Sequence, residues 1–280
     1  MTRFSGVKAA FQGEVGAYSE EAAIRFFDPS IETVPCRDLT DVFKMVERDD
    51  VDYGIVPIEN SLEGDVNQTF DLLLSSDLKV WGEMNLKITH CLVADPKTRL
   101  DSIEKVYSHP QALAQCRNFL IEQGLEPVPA YDTAGSVKNI RDRGLMDAGA
   151  VASRRAAEIY GMKVLAEGIE DIPYNYTRFL VLAKEDASPT GEDKTSIIFS
   201  TKHVPGALYK ALEAFASRKI NLTKIQSRPT REKPWSYNFF MDFEGHREDV
   251  ISRDALEDLK GKSLFVKVLG SYPKAKRRLG

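Results

Sequence analysis

The first two thirds of the chain alternate short apolar runs with segments of helical periodicity, and this alternation limits the possible folds more than any other feature. Val7–Phe11 and Tyr53–Val56 are apolar runs of the kind that form buried strands. Between them, residues 39–46 carry apolar side chains at positions 39, 42, 43 and 46, which is the spacing of one helix face. The pattern predicts an α/β fold with one mostly parallel sheet, or two of them.

The same reasoning assigns an element to most of this part of the chain. Ser19 is predicted to cap the first helix, and Pro57 is predicted to end the third strand. The predicted strands are residues 7–11, 31–35, 53–56, 88–94, 103–107, 127–131, 149–152 and 178–183. The predicted helices are residues 19–27, 39–46, 66–74, 111–121, 136–143 and 154–160.

A polar segment with the sequence EDASPTGED, residues 185–193, has the composition of a linker, and a different pattern follows it. The elements predicted there have the order βαββαβ, which is the ferredoxin-like plan. They are residues 195–201, 207–217, 222–227, 235–243, 254–259 and 264–269. We therefore predict an α/β domain over residues 1–184 and a small domain over residues 194–280. Its basic end, with Lys274, Lys276, Arg277 and Arg278, is expected to be a solvated tail.

Composition excludes several classes of function. The net charge of −4 over 280 residues argues against a nucleic-acid partner, which would favour a basic surface. No apolar run approaches the ~18 residues that span a membrane, and Met1–Lys8 has no signal-peptide core, so we expect a cytoplasmic protein. The three cysteines form no C-x-x-C pair and suggest neither a disulfide framework nor a zinc site.

Standard motifs give no cofactor and no metal. The chain lacks a dinucleotide fingerprint, a P-loop, an H-E-x-x-H motif and a G-x-S-x-G motif. His90 and His109 have no ligand-like spacing, and a histidine with partners in the interior or the cleft is the favoured interpretation of each.

Polar residues gather where predicted strands end. Val56–Ser61, Ser108–Gln111 and Asp132–Ser136 each place hydroxyls, amides and backbone N–H groups near a helix start, where anions bind well. Each alone is explained by a plain N-cap, but three at equivalent places favour a site for a small anionic ligand. In Asn175–Phe179, Arg178 can clamp a carboxylate and Thr177 can donate a hydroxyl, although an ion pair and an ordinary strand residue explain them equally well.

Taken together, these residues resemble the prephenate dehydratase family, in its monofunctional form with a C-terminal ACT domain. The resemblance covers nearly the whole chain. No helical segment precedes Val7, so we expect no fused chorismate mutase. The motifs that carry it are Phe11–Gly13 with Gly16–Ser19, Val56–Ser61 with Gly64 and Val66, Ser108–Leu113 with Gln115 and Cys116, and Thr177–Phe179.

The resemblance implies a fold and a reaction. The fold resembles a type II periplasmic binding protein with the site in the cleft between two α/β lobes. Lobe 1 would be about residues 1–83 and 163–184, and lobe 2 about residues 84–162. The reaction is the conversion of prephenate into phenylpyruvate, water and carbon dioxide in phenylalanine biosynthesis.

The resemblance also assigns site residues. Thr177 becomes the catalytic residue, a donor to the leaving hydroxyl, whereas Glu59 is expected to be structural because a carboxylate repels a dianion. The expected substrate-binding residues are Arg178, Asn60, Ser61, Ser108, Gln111, Gln115, Thr133, Ser136 and Phe179.

The small domain resembles an ACT domain, a module that binds amino acids where two copies meet. A homodimer or a dimer of dimers, with phenylalanine as allosteric effector, is therefore expected, and a domain kept for dimerisation alone is the alternative. Gln226 stands where the family usually has Glu, which weakens the expected attraction for an ammonium group. The expected effector-binding residues are Gly206, Ala207, Leu208, Gln226, Ser227, Arg228 and Pro229.

Two other functions stay open. Arogenate dehydratase shares the motifs and acts on a substrate that differs in one amino group. A non-catalytic ligand sensor is possible because the cleft fold is also a binding fold, although the intact Thr177–Phe179 motif counts against it.

Overall fold

A computed structural model describes residues 4–230 and 235–275 of the chain. They divide into two compact units, Met1–Val66 with Met84–Phe179, and Asn67–Glu83 with Leu180–Gly280. Residues 67–83 thus group with the C-terminal part, whereas the predicted domains assigned them to the first. The predicted boundaries at residues 184 and 194 stay predictions. Lys276, Arg277 and Arg278 of the predicted tail lie outside the described residues.

The first sheet has the strand order β2-β1-β3-β11-β5, with the short strand β4 paired to β3. Strand β1 is parallel to both β2 and β3. Its centre, Ala9–Phe11, is fully buried, as the apolar run predicted. The elements are β1 Lys8–Gln12, α1 Tyr18–Phe26, β2 Glu32–Cys36, α2 Leu39–Glu47, β3 Tyr53–Asn60, β4 Gly64–Asp65, α3 Asn67–Ser75, β5 Lys79–Lys87 and β11 Tyr176–Ala183.

The second sheet has the order β10-β6-β9-β7-β8. Strand β7 is parallel to β8 and β9, whereas β6 is antiparallel to β9 and β10. The chain enters this sheet after β5 and leaves it after β10, which confirms the predicted plan of two α/β sheets. The elements are β6 Cys91–Ala94, β7 Lys105–Ser108, α4 Pro110–Gln115, α5 Arg117–Glu122, β8 Glu126–Pro129, α6 Thr133–Arg143, β9 Ala148–Ala152, α7 Arg154–Tyr160 and β10 Lys163–Glu167.

The small domain confirms the βαββαβ plan. Its antiparallel sheet has the order β13-β14-β12-β15. Helices α8 and α9 share a core with side chains that include Phe199, Met241 and Phe243. Side chains alternate along a strand, so Phe240 faces the other way, and its ring meets Phe70 of α3 at 4.6 Å. The elements are β12 Asp193–Ser200, α8 Ala207–Ala216, β13 Leu222–Pro229, β14 Tyr237–Glu244, α9 Val250–Lys262 and β15 Phe265–Pro273.

Several local predictions were wrong, each for a physical reason. Pro57 does not end its strand, because β3 pairs with β1 only as far as Ile55 and the missing N–H lies beyond that pairing. Ser19 is not the N-cap, since the helix begins at Tyr18 and the Glu20 carboxylate accepts the Gly16 N–H at 2.7 Å. The helix predicted for residues 111–121 is two helices, because Cys116 leaves the helical conformation at ψ 19°. Strands β5 and β10 were not predicted.

None of the helices among the described residues is both long enough and apolar enough to cross a lipid bilayer.

Candidate functional site

The end of β3 meets the start of β11 through side-chain hydrogen bonds. The Asn60 amide nitrogen donates to Thr177 Oγ1 at 3.0 Å and to Asn175 Oδ1 at 2.8 Å. Asn175 and Thr177 are two residues apart and therefore share one face of the chain as it enters the strand. Two motifs that are 115 residues apart in sequence thus form one site.

The orientation of the Asn60 side chain is fixed by the backbone. Its Oδ1 accepts from the N–H groups of Leu62 and Glu63, each at 3.0 Å. Because a backbone N–H can only donate, the oxygen of the amide must face these groups and the nitrogen must face Thr177. Thr177 Oγ1 is then an acceptor from Asn60, and its own proton is left to donate elsewhere. This is the property required of a donor to a leaving group.

Gln115, at the end of α4, extends the network. Its Oε1 lies 2.8 Å from the Asn175 amide nitrogen and 2.9 Å from His90 Nε2. Its own nitrogen approaches the Glu63 carboxylate at 3.4 Å. Gln115 is half-buried, and its amide nitrogen points toward the exposed residue Glu63.

Tyr18 and His90 close the inner end of the network. The Tyr18 hydroxyl donates to the Thr89 carbonyl at 2.8 Å and lies 3.0 Å from His90 Nδ1. Burial raises the pKa of Tyr18 well above its usual value. Burial also lowers the pKa of His90, against smaller opposing effects of Gln115 and Glu170. The interpretation of His90 as an interior histidine with partners is confirmed, since it is 2% exposed.

Four of the predicted substrate-binding residues have protein partners or are buried. Ser61 Oγ donates to the Tyr174 carbonyl at 3.0 Å and accepts from the Tyr176 N–H. Ser108 is fully buried and donates to the Val151 carbonyl at 2.6 Å. Ser136, also buried, donates to the Asp132 carbonyl at 2.7 Å. Phe179 is buried. Their predicted contacts with a ligand stay predictions.

The N-terminus of α6 is capped by the side chain of Asp132. The Asp132 carboxylate accepts from the Gly135 N–H at 3.2 Å and from the Glu14 N–H at 2.9 Å. A carboxylate of the protein therefore lies where an external anion was predicted. Thr133 and Gln111 are half-buried and lie outside the hydrogen-bond network of Asn60.

Arg178 directly follows Thr177 on strand β11. Successive side chains of a strand point to opposite faces, so Arg178 leaves β11 on the face opposite Asn175 and Thr177. It is half-buried there. Its role as a carboxylate clamp stays a prediction.

In the small domain, the predicted effector residues fall into two groups. Gly206 precedes α8 with a φ of 79°, and Ala207 and Leu208 form the first turn of that helix. On β13, Ser227 and Pro229 are exposed, and Gln226 is half-buried. Arg228 differs from these, because its guanidinium donates to Asp71 Oδ1 at 2.8 Å and also to the Asn67 side chain, both on α3.

The sequence predicted no site role for four members of the network, namely Tyr18, Glu63, His90 and Asn175. Asn175 carried a usable signal, because it lies two residues before Thr177 and shares its face. His90 carried none, since its partners come from distant segments. Within residues 4–230 and 235–275, no group of three or more His, Cys, Asp or Glu side chains is arranged to hold a metal ion.

Comparisons with known proteins agree with this architecture. Residues 9–187 match the prephenate dehydratase family and residues 195–261 match the ACT domain. A bifunctional chorismate mutase/prephenate dehydratase of Aquifex aeolicus is 49% identical over 96% of this chain and 74% of its own length. An Arabidopsis thaliana protein named arogenate dehydratase/prephenate dehydratase 2 is 46% identical over 96% of this chain and 73% of its own.

Two solved structures have the same fold over nearly the whole chain. The Arthrobacter aurescens prephenate dehydratase, in complex with L-Phe, has a TM-score of 0.89 at 33% identity and covers 97% of this chain and 91% of its own. GqqA, described as a novel type of quorum quenching acylase, has a TM-score of 0.89 at 35% identity, with 97% and 99% covered. With its two α/β sheets, its matched motifs and its βαββαβ domain, the chain belongs to the prephenate dehydratase family of lyases and carries that family's C-terminal ACT domain.

Proposed function

We propose that this chain converts prephenate into phenylpyruvate, with Thr177 as hydrogen-bond donor to the leaving hydroxyl. The observation that carries the proposal is the contact between Asn60 and Thr177. Asn60 uses its nitrogen to hold the threonine oxygen, and the threonine proton is directed away from it. The proposal also rests on membership of the family, whose four motifs the chain contains in order.

The reaction needs little from the protein in driving force, because its product is aromatic. The bond between the ring and its carboxylate breaks, and the electron pair forms a ring double bond. The bond between the ring and the hydroxyl breaks with its electron pair on the oxygen, and the hydroxyl leaves as water once it gains a proton. A threonine hydroxyl is a weak acid, so its hydrogen bond strengthens as negative charge builds on the leaving oxygen. Assistance of this kind contributes about 10²–10⁴-fold in rate.

Substrate binding requires groups that accept a dianion. We assign a carboxylate of prephenate to the amide nitrogen of Gln115, because the oxygen of the same amide already accepts two hydrogen bonds. The nearby Glu63 carboxylate, 3.4 Å from that nitrogen, would compete with the substrate for it. This contact between Gln115 and the substrate forms without Arg178.

Regulation and assembly follow from the ACT domain. We propose feedback control by phenylalanine, bound where two ACT domains meet in a dimer or a dimer of dimers. The related structure from Arthrobacter aurescens is described as a complex with L-Phe, which supports this choice of effector. We also propose a cytoplasmic location.

The test is a product assay with purified protein. Prephenate should yield phenylpyruvate, and phenylalanine added to the assay should slow the reaction. Arogenate belongs in the same experiment, since relatives carry that name, and formation of phenylalanine from it at a higher kcat/KM would replace prephenate as the substrate. An N-acylated quorum signal is the third substrate to test, given the description of GqqA. Absence of turnover on every substrate would leave the ligand sensor.

A further inference from the structure

The hydrogen bonds around Gln115 have one allowed direction. The N–H groups of Leu62 and Glu63 can only donate, so Asn60 accepts with its oxygen and donates with its nitrogen. Asn175 therefore receives that bond on Oδ1 and must donate with its own nitrogen to Gln115. The backbone N–H groups therefore fix which atom donates and which accepts in each of these three side-chain amides.

This direction determines the protonation of His90. Gln115 Oε1 accepts from Asn175, so the histidine nitrogen 2.9 Å from the same oxygen has to carry a hydrogen. We propose that His90 is held as the Nε2–H tautomer and is a positioning residue that, together with Asn175, holds the Gln115 amide with its nitrogen toward the substrate. The inference concerns the site of the proposed function and rests on that function for its kinetic consequence.

The other side of the ring fits this tautomer. With the hydrogen on Nε2, Nδ1 is an acceptor, and the hydroxyl 3.0 Å away belongs to Tyr18, which is a donor. In this tautomer the single Tyr18 proton lies between two acceptors, the Thr89 carbonyl at 2.8 Å and Nδ1 at 3.0 Å.

The groups around His90 favour a neutral ring. The Glu170 carboxylate accepts the backbone N–H of His90 at 2.9 Å, and its charge alone would favour the imidazolium form. Burial opposes this and has the larger effect, so the pKa of His90 falls. The thiols of Cys91 and Cys116 lie buried nearby and stay protonated, because burial raises their pKa.

Without His90, the Gln115 oxygen keeps one donor in place of two. The amide is then held in its direction by Asn175 alone, and its nitrogen is less firmly presented to an anionic substrate. His90→Gln retains an N–H₂ group that can reach Gln115, whereas His90→Leu fills similar space without a donor.

The first test is nuclear magnetic resonance of the ¹⁵N-histidine-labelled full chain at pH 7.5. The chain has four histidines, and the signal lost in His90→Gln identifies the one of interest. The expected pattern is a protonated Nε2 and an unprotonated Nδ1. A protonated Nδ1, alone or in an imidazolium, would overturn the proposal. Because no turnover is needed, this result is independent of whether prephenate is the substrate.

The second test is kinetic. His90→Leu should raise KM about tenfold, the effect of losing roughly 1.4 kcal/mol of binding, with a smaller change in kcat. His90→Gln should restore most of the loss. In a Gln115→Leu background, His90→Leu should add little, because coupled residues are not additive. If the Leu and Gln variants, both folded by circular dichroism, are equally impaired, or if His90→Leu leaves KM unchanged, His90 does not position Gln115.

Discussion

Arg228 of the predicted effector motif donates to the carboxylate of Asp71 at 2.8 Å, and so connects β13 to helix α3 within the same compact unit. The arginine side chain is 12% exposed and its aspartate partner 42%. Helix α3 begins at Asn67, two residues after strand β4, in which Gly64 pairs with Asn60. The motif expected to bind phenylalanine is thus linked to helix α3 by this ion pair.

Asp71→Asn should therefore alter the response to phenylalanine. Coupling between sites typically changes by about 0.5–2 kcal/mol on such substitutions, which corresponds to a roughly two- to thirtyfold shift in the half-inhibitory concentration. We expect kcat without phenylalanine to stay within about twofold, because none of the hydrogen bonds described for the Asn60 network goes to Asp71. Gln68→Ala, at an exposed position on the same helix, is the control. An unchanged inhibition curve for Asp71→Asn would remove this pair from the regulatory route.

Gly16→Ala should destabilise the first unit. Gly16 has a φ of 95°, and a Cβ there would lie 2.8 Å from Ala156 Cα at the start of α7. Its carbonyl also accepts the Ser153 hydroxyl at 2.7 Å, so the loop after β1 has no room to move away. Strained backbone and overpacking together cost about 2–5 kcal/mol. Urea unfolding would measure the loss.

Gly144→Ala separates the two causes. Gly144 has a φ of 61° with open space around its Cβ position, so alanine there has the backbone cost alone. An equal loss of stability in the two variants would show that contact with Ala156 is unimportant.

The buried thiols should make stability fall at high pH. Burial raises the pKa of Cys36 and of Cys91 from 9.0 to about 11, and raises that of Cys116 further. A folded-state pKa above the unfolded value gives stability that is complete below the unfolded value and is lost as pH rises. We expect the free energy of unfolding to decline between pH 9 and pH 11.

A thiol reagent checks the same burial directly. At pH 8 the native protein should react slowly with Ellman's reagent, and after unfolding in guanidinium chloride all three cysteines should react. Rapid release of one equivalent from the native protein would show that a thiol is accessible.

Much of the fold could be predicted because local patterns determine it. The apolar run at Val7–Phe11 and the helix face at residues 39–46 were placed to within a residue or two, since burial on one face is visible in the sequence. Strand β5 was missed because its sequence, KVWGEMNLK, mixes buried and exposed positions irregularly. The grouping of helix α3 with the C-terminal part could not be predicted, because its contact with Phe240 joins residues 170 positions apart and leaves no local signal.

Some residues of the site could also be predicted from the sequence, and others could not. The motifs indicated Asn60, Gln115 and Thr177, which the structure connects through hydrogen bonds. Arg178 was predicted to clamp a substrate carboxylate, and this stays a prediction; strand alternation places its side chain on the face opposite Thr177. His90 could not be found, because its importance comes from the direction of bonds that start at Leu62 and Glu63.

The direct test of the account is the kinetics of Thr177→Ala and Thr177→Ser on prephenate. The alanine variant should lose about 10²–10⁴-fold in kcat with KM nearly unchanged, because the donor acts as charge develops on the leaving oxygen. The serine variant should keep part of the rate, since its hydroxyl can accept from Asn60 and donate to the substrate. Thr98→Ala, which removes a buried hydroxyl bound to the Met146 carbonyl, controls for lost stability and should retain its kcat. A Thr177→Ala protein that turns over prephenate at the unchanged rate would contradict the role assigned to Thr177.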